Sequence, residues 1–180
     1  MKFTRSLAFA AIATAVGIPT ASFAADGTIT FNGTITPQTC TISGEGAGPN
    51  FTVTLPTVST SALAIDGTPA GGTPFTIALT NCSPDSGTAQ TYFEPGPTVD
   101  TATGRLRNAT GTASNVEVGL LNDDYSLIHL GAAQTSQNSK SAAISGGSAL
   151  LKYIAQYVAT GGAAGAGSVN TTTLYSIVYQ

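Results

Sequence analysis

From Thr28 to Gln180 the chain alternates apolar and polar residues in short runs, set apart by clusters of Gly, Pro, Asn and Ser. A period of two puts successive side chains on opposite faces of an extended backbone, so each run predicts a strand with one buried face. The alternation is clearest where Phe75, Ile77 and Leu79 oppose Thr76, Ala78 and Thr80, and where Val116, Val118 and Leu120 oppose Glu117 and Gly119. On this basis strands are predicted over Thr28–Thr36, Thr39–Ser43, Phe51–Thr57, Phe75–Cys82, Thr88–Glu94, Asn115–Leu121, Ser126–Leu130, Leu151–Ala159 and Thr171–Tyr179. Loops are predicted over Gly44–Asn50, Asp66–Pro74, Ser83–Gly87, Pro95–Gly104 and Gly161–Ser168, none with the character of an interdomain linker. Helix signals are scarce and Thr is abundant, which points to an all-β chain whose short strands suit a two-layer sandwich. The glycine-rich stretch Gly161–Gly167 has neither the strand-into-helix setting nor the following Lys-Ser/Thr of a phosphate-binding loop, and reads as a flexible hairpin loop.

Composition sharpens this picture. A chain of 180 residues fits one domain, and 42% hydrophobic residues suffice for a core. Charged residues make up only 8%, against roughly 25% in an average domain. The formal net charge is −3 with no Lys or Arg run, so the electrostatic footprint of a nucleic-acid binder is missing. At the N-terminus, Lys2 and Arg5 precede the apolar stretch Leu7–Ile18 and the small residues Ser22 and Ala24. That three-part pattern predicts an export signal over residues 1–24, cleaved after Ala24. The apolar run is about a dozen residues long, short of the roughly 20 needed to span a bilayer. Loss of Lys2 and Arg5 leaves four basic residues against nine acidic ones, an acidic exported protein of net charge −5.

Export changes how the two cysteines are read. An oxidising compartment lets Cys40 and Cys82 close into a structural disulfide. In the chain-entropy model a loop of about 42 residues is then worth roughly 4 kcal/mol. A metal pair or a catalytic thiol would need partners, and His129 is the only imidazole. In Ser126–Leu130, His129 alternates with Ile128 and Leu130 and reads as a solvated strand residue. The Asp123–Asp124 pair lies between two strand patterns, where Asx residues favour a turn. No Gly-x-Ser-x-Gly, His-Glu-x-x-His or Ser-x-x-Lys motif occurs, so no catalytic residue, metal ligand or cofactor is assigned and an enzyme is not expected. The sequons at Asn50 and Asn108 are given no function.

Both ends of the region that follows the signal are strand-like. Gly27, Ile29, Phe31, Gly33 and Ile35 share one face of the first run, and Tyr175, Ile177 and Tyr179 share one face of the last. A terminal strand with apolar alternation and no charge is an aggregation liability that proteins normally cover.

In these features the sequence resembles the subunits of chaperone-usher pili, the type 1 fimbrial protein family of Gram-negative bacteria. The resemblance is carried by the alternating N-terminal run with Gly33, by Cys40, and by Pro74–Cys82 ending on the second cysteine. Further along it is carried by Val118–Asp123, by Tyr153–Gly161 and by the penultimate Tyr179. It implies an incomplete immunoglobulin-like sandwich that lacks its final strand and is completed by a donor strand from a neighbouring subunit. In that scheme residues 25–36 are the donor extension, with Gly27, Ile29, Phe31, Gly33 and Ile35 entering the neighbour, and residues 37–180 are the pilin body. Tyr175, Ile177 and Tyr179 form the groove-edge strand, Gln180 presents its carboxylate to a periplasmic chaperone, and Cys40 and Cys82 match the family's disulfide. The implied partners are other pilin subunits, that chaperone and an outer-membrane usher; the implied location is a pilus on the cell surface, with host receptors bound by a separate tip subunit. The presence of a donor run marks a shaft or adaptor subunit, with a shaft subunit favoured. Two rivals are weighed against this: a secreted, self-contained sandwich binding a carbohydrate or surface partner, and a periplasmic hydrolase, for which no nucleophile and base are available.

Overall fold

A computed structural model describes residues 28–33, 35 and 37–180. The expected export signal and Gly27 lie outside these residues. The chain divides into two units, Met1–Thr34 and Ile35–Gln180. In the first unit, the described residues 28–33 form no strand, although a strand was expected there. Alternation supplies a sided strand, but a ladder needs a neighbour, and no backbone hydrogen bond reaches these residues among those described.

The second unit is an all-β sandwich with almost no helix. Its strands are β1 (Thr39–Gly44), β2 (Pro69–Ser83), β3 (Gly87–Phe93), β4 (Val99–Asp100), β5 (Arg105–Arg107), β6 (Val116–Asn122), β7 (Ser141–Ile144), β8 (Ala149–Ala159) and β9 (Tyr175–Tyr179). One sheet runs β1-β2-β8-β6-β5-β4, the other β7-β3-β9. All described pairings are antiparallel. Register puts Phe75 opposite Tyr153, Ile77 opposite Leu151 and Leu120 opposite Ala155, so the inward residues of β2, β8 and β6 form one apolar floor. Ala89, Thr91 and Phe93 of β3 close on it from the other sheet. Ring contacts link the layers: Tyr175 to Phe51 (6.1 Å), Phe51 to Phe75 (6.2 Å), Phe75 to Tyr153 (5.5 Å) and Tyr153 to Phe93 (5.4 Å). Gly44 is obligatory here, because a Cβ on it would overlap the Phe51 ring.

Several expectations are corrected. The predicted loop Asp66–Pro74 contains the start of β2, where a register shift between Ala70 and Thr73 and the positive φ of Gly71 (+69°) make a bulge that composition disguises. β4, β5 and β7 are short strands the pattern did not signal. Ser126–Leu130 is not a strand; it touches β6 through the single bridge Leu121–Leu127. Phe51–Thr57 and Thr171–Leu174 are extended but belong to no ladder. The Gly161–Ser168 stretch is no hairpin, since it joins β8 in one sheet to β9 in the other.

Buried polar side chains stand in for missing strand neighbours. β7 reaches only to Gln90 on β3. Beyond it the buried Gln137 amide donates from Nε2 to Phe93 O and accepts at Oε1 from Phe93 N, each at 2.8 Å. Asn122, fully buried, donates to Asn138 O (2.7 Å) and accepts from Lys140 N (2.9 Å). A buried donor or acceptor left unmet costs about 1–3 kcal/mol. Gln137→Leu is therefore expected to lower the unfolding free energy by about 2–4 kcal/mol, read as a lower urea midpoint at unchanged slope.

Candidate functional site: an open trench between two unpaired edges

Chain geometry from Ser168 to Gln180 is governed by parity. In an antiparallel pair only alternate residues exchange hydrogen bonds with a given neighbour. Gln180 exchanges both bonds with Thr88, at 2.9 Å each, and Leu174 O accepts from Glu94 N at 2.9 Å. The register Gln90–Val178 and Tyr92–Ser176 fills the positions between. Even-numbered residues therefore turn their backbone groups towards β3. The same parity continues upstream, where Asn170 O accepts from Ala109 N (3.0 Å) and Ser168 O from Ala113 N (3.0 Å). Odd-numbered residues turn the other way. Among the described residues, the N–H and C=O groups of Val169, Thr171, Thr173, Tyr175, Ile177 and Tyr179 have no hydrogen-bond partner.

Opposite this edge runs the extended segment 51–58, whose backbone likewise has no partner among the described residues. Between the two edges lies a trench of about 520 Å³. Its rims are Phe51–Leu55 and Val169–Thr173, and its floor is made of Phe75, Phe93, Leu106, Val118, Leu120 and Ala155. Tyr157 and Val169 also line a second cavity of about 380 Å³ beside Val58, Leu63 and Ala164. Apolar floor and unpaired backbone on both sides are what an extended segment needs, since strand addition combines main-chain bonds with pockets for alternate side chains.

Tyr175, Ile177 and Tyr179 sit on this edge, half-buried and packed against the core. Gln180 is exposed beside Thr88. Ile29 (79% exposed), Phe31 (89%) and Ile35 (100%) are open to solvent, and Gly33 has open space around its Cα. Cys40 and Cys82 form a disulfide that ties the edge strand β1 to β2. The sequence predicts only an ordinary strand at the rim Phe51, Val53 and Leu55. Its alternation was visible, but alternation does not reveal that a neighbour is missing.

The groups weighed for chemistry lie apart. His129 is exposed. Asp123 and Asp124 form a turn, and Asp124 accepts from Lys140 Nζ and from the Ser126 hydroxyl (2.7 Å) and amide (3.2 Å). Those bonds, the lysine's first, hold its carboxyl well below the usual carboxylate range. No group of three or more His, Cys, Asp or Glu side chains converges as a metal site among the described residues. There, too, no helix is long and apolar enough to cross a membrane.

Comparison with known proteins bears on this site. A family model described as Type-1 fimbrial protein, A, matches residues 55–180. The chain is 48% identical over 168 residues to the Major fimbrial subunit SMF-1 of Stenotrophomonas maltophilia, covering 90% of this chain and 97% of that protein. It is 45% identical over 166 residues to the F17 fimbrial protein of Escherichia coli, covering 89% and 91%. Among solved structures, the P pilus rod subunit PapA superposes with a TM-score of 0.60 at 19% identity, over 78% of this chain and 99% of that one. A chaperone-usher pilus subunit from work on rod uncoiling superposes with a TM-score of 0.58 at 22% identity, over 87% and 96%. At those identities the structures speak for the fold alone.

One consequence of the parity is measurable in the monomeric chain. The amides of Ser176 and Val178 are expected to exchange with deuterium at least ~10-fold more slowly than those of Tyr175, Ile177 and Tyr179. Equal protection along β9 would mean that the second edge is paired.

Proposed function

From the premise that the chain belongs to the type-1 fimbrial protein family, as a subunit of a chaperone-usher pilus, we propose that it polymerises by donating residues 25–36 to the trench of the next subunit. The observation that carries this reading is the unpaired edge Val169–Tyr179, whose residues 169–173 face the unpaired rim Phe51–Leu55 across an apolar floor. Lengths agree: the edge spans about 33 Å at 3.3 Å per residue, which a twelve-residue extended segment covers. Side chains agree as well. Ile29, Phe31 and Ile35 are exposed and would gain about 1.5–3 kcal/mol each on burial, or about 5–9 kcal/mol together before the ladder is counted. Gly27 and Gly33 share their face and suit places where the neighbour's backbone comes close.

A subunit that gives a strand at one end and accepts one at the other makes a heterologous, non-closing contact, and such contacts build filaments. Before assembly the same edge needs cover. A periplasmic chaperone supplies it by pairing with β9 at Tyr175, Ile177 and Tyr179 and clamping the carboxylate of Gln180, then delivers the subunit to an outer-membrane usher. Residues 1–24 direct export, and residues 37–180 form the body. Likeness to a major fimbrial subunit supports a place in the shaft, with adhesion conferred through a separate tip subunit. The family's members are structural subunits, and the role here is mechanical.

Phe31→Asp tests the donor role, because an unpaired carboxylate in an apolar trench costs several kcal/mol. Cells carrying only this variant are expected to export the subunit and hold it with the chaperone, yet to show no surface fibres by electron microscopy. Long fibres of the variant would refute donation through residues 25–36.

A further inference from the structure

The acceptor edge is held from behind in two different ways. Its near half, Tyr175–Tyr179, is laddered to β3. Its far half, residues 168–173, has no strand behind it, and β3 ends at Phe93. There the amides of Ala109 and Thr110 bond to Asn170 O, that of Ala113 to Ser168 O and the Thr98 hydroxyl to Thr172 O, and one side chain gathers the remaining bonds. Asn108 Oδ1 accepts from Asn170 N at 2.8 Å and from Gly111 N at 3.1 Å, while Nδ2 donates to Ser168 O at 3.1 Å and to Ala113 O at 2.9 Å. Two of these bonds engage Ser168 and Asn170, even-numbered residues of the wall, in phase with the bonds that β3 makes to Leu174 and Gln180, and the other two fasten Asn108 to its own loop. Thr112 and Ser168 add reciprocal bonds, from Thr112 N to Ser168 Oγ (3.2 Å) and from Ser168 N to Thr112 Oγ1 (3.0 Å). The facing backbones are also too close for side chains at two glycines. A Cβ on Gly111 would overlap Ser168 O and the Asn108 amide, and one on Gly167 would overlap the backbone at Thr112–Ala113.

We propose that Asn108 is a positioning residue for strand addition: with the backbone amides of Ala109 and Ala113, its carboxamide does the work of a missing strand behind Ser168 and Asn170 and so aims the far half of the edge, Val169, Thr171 and Thr173, into the trench. The proposal rests on the reading of the trench as a strand acceptor. Only an amide meets the need, since two donors and two acceptors are required on one short side chain. Aspartate keeps the bonds to Asn170 N and Gly111 N and loses the other two.

Site-resolved amide exchange tests this. The full chain carrying Phe31→Asp, so that its own segment does not donate, is mixed with saturating peptide of residues 25–38, with and without Asn108→Ala. With Asn108 in place, the peptide is expected to slow exchange at Val169, Thr171, Thr173, Tyr175, Ile177 and Tyr179. With Asn108→Ala, the slowing persists at the last three and falls by about tenfold or more at the first three. Asn108→Asp should fall between, and carries the comparison if the alanine variant does not fold. Peptide protection that is unchanged at all six, or lost evenly across all six, would overturn the proposal. If the peptide protects none of them even with Asn108 present, the strand-acceptor reading fails, and this proposal goes with it.

Discussion

Every extended backbone carries hydrogen-bonding groups on both sides, and leaving one side unmet in an apolar setting is costly. From Ser168 to Gln180 this chain meets that requirement on one side only. Much of the rest follows from that imbalance. The three-stranded sheet stops at β9, its inward residues Tyr175, Ile177 and Tyr179 are covered only in part, and the floor of Phe75, Val118 and Leu120 faces a trench instead of a strand. Opposite, Phe51 holds the other rim in place through a tilted contact with Phe75 and an edge-on contact with Tyr175, over the glycine that makes room for it, Gly44.

The body can keep such a gap open because its other surfaces are closed with care. The Cys40–Cys82 bond fastens the edge strand β1 to its neighbour β2. Gln137 completes the outer edge of β3, Asn122 stitches the turn after β6 to the segment before β7, and Asn108 backs the far wall. In each case a carboxamide does the work of a strand neighbour, with both its donor and its acceptor in use. Unmet backbone lines the trench on both sides. A contact that satisfies it from a second molecule is directional, which suits a filament.

Much of this was legible in the sequence, for definite reasons. Phe75-Ile77-Leu79 and Val118-Leu120 announced buried faces, and β2, β3, β6 and β8 lie close to their predicted places because period-two alternation reports burial directly. The same signal misled at Phe51–Thr57 and Ser126–Leu130, where the inward residues are sheltered by the core but the backbone has no ladder. Side-chain periodicity shows which face is covered and is silent about what lies alongside. Pro69–Pro74 looked like a loop because Gly71 and its neighbours form a bulge within a strand. Asn108 stood in a sequon of no assigned function, and only folding brings it to Ser168 and Asn170. The trench itself is implied by the resemblance, while its far rim and its backing amide are visible only in the fold.

The most direct measurement is the thermal melting of residues 37–180, with Cys40 and Cys82 oxidised, alone and with a peptide of residues 25–38. A strand that completes the sandwich should raise the midpoint by at least ~10 °C, and the same peptide with Phe31→Asp should have little effect. A body that is cooperatively stable alone and indifferent to both peptides would contradict the account, and would describe a closed domain with no strand to accept.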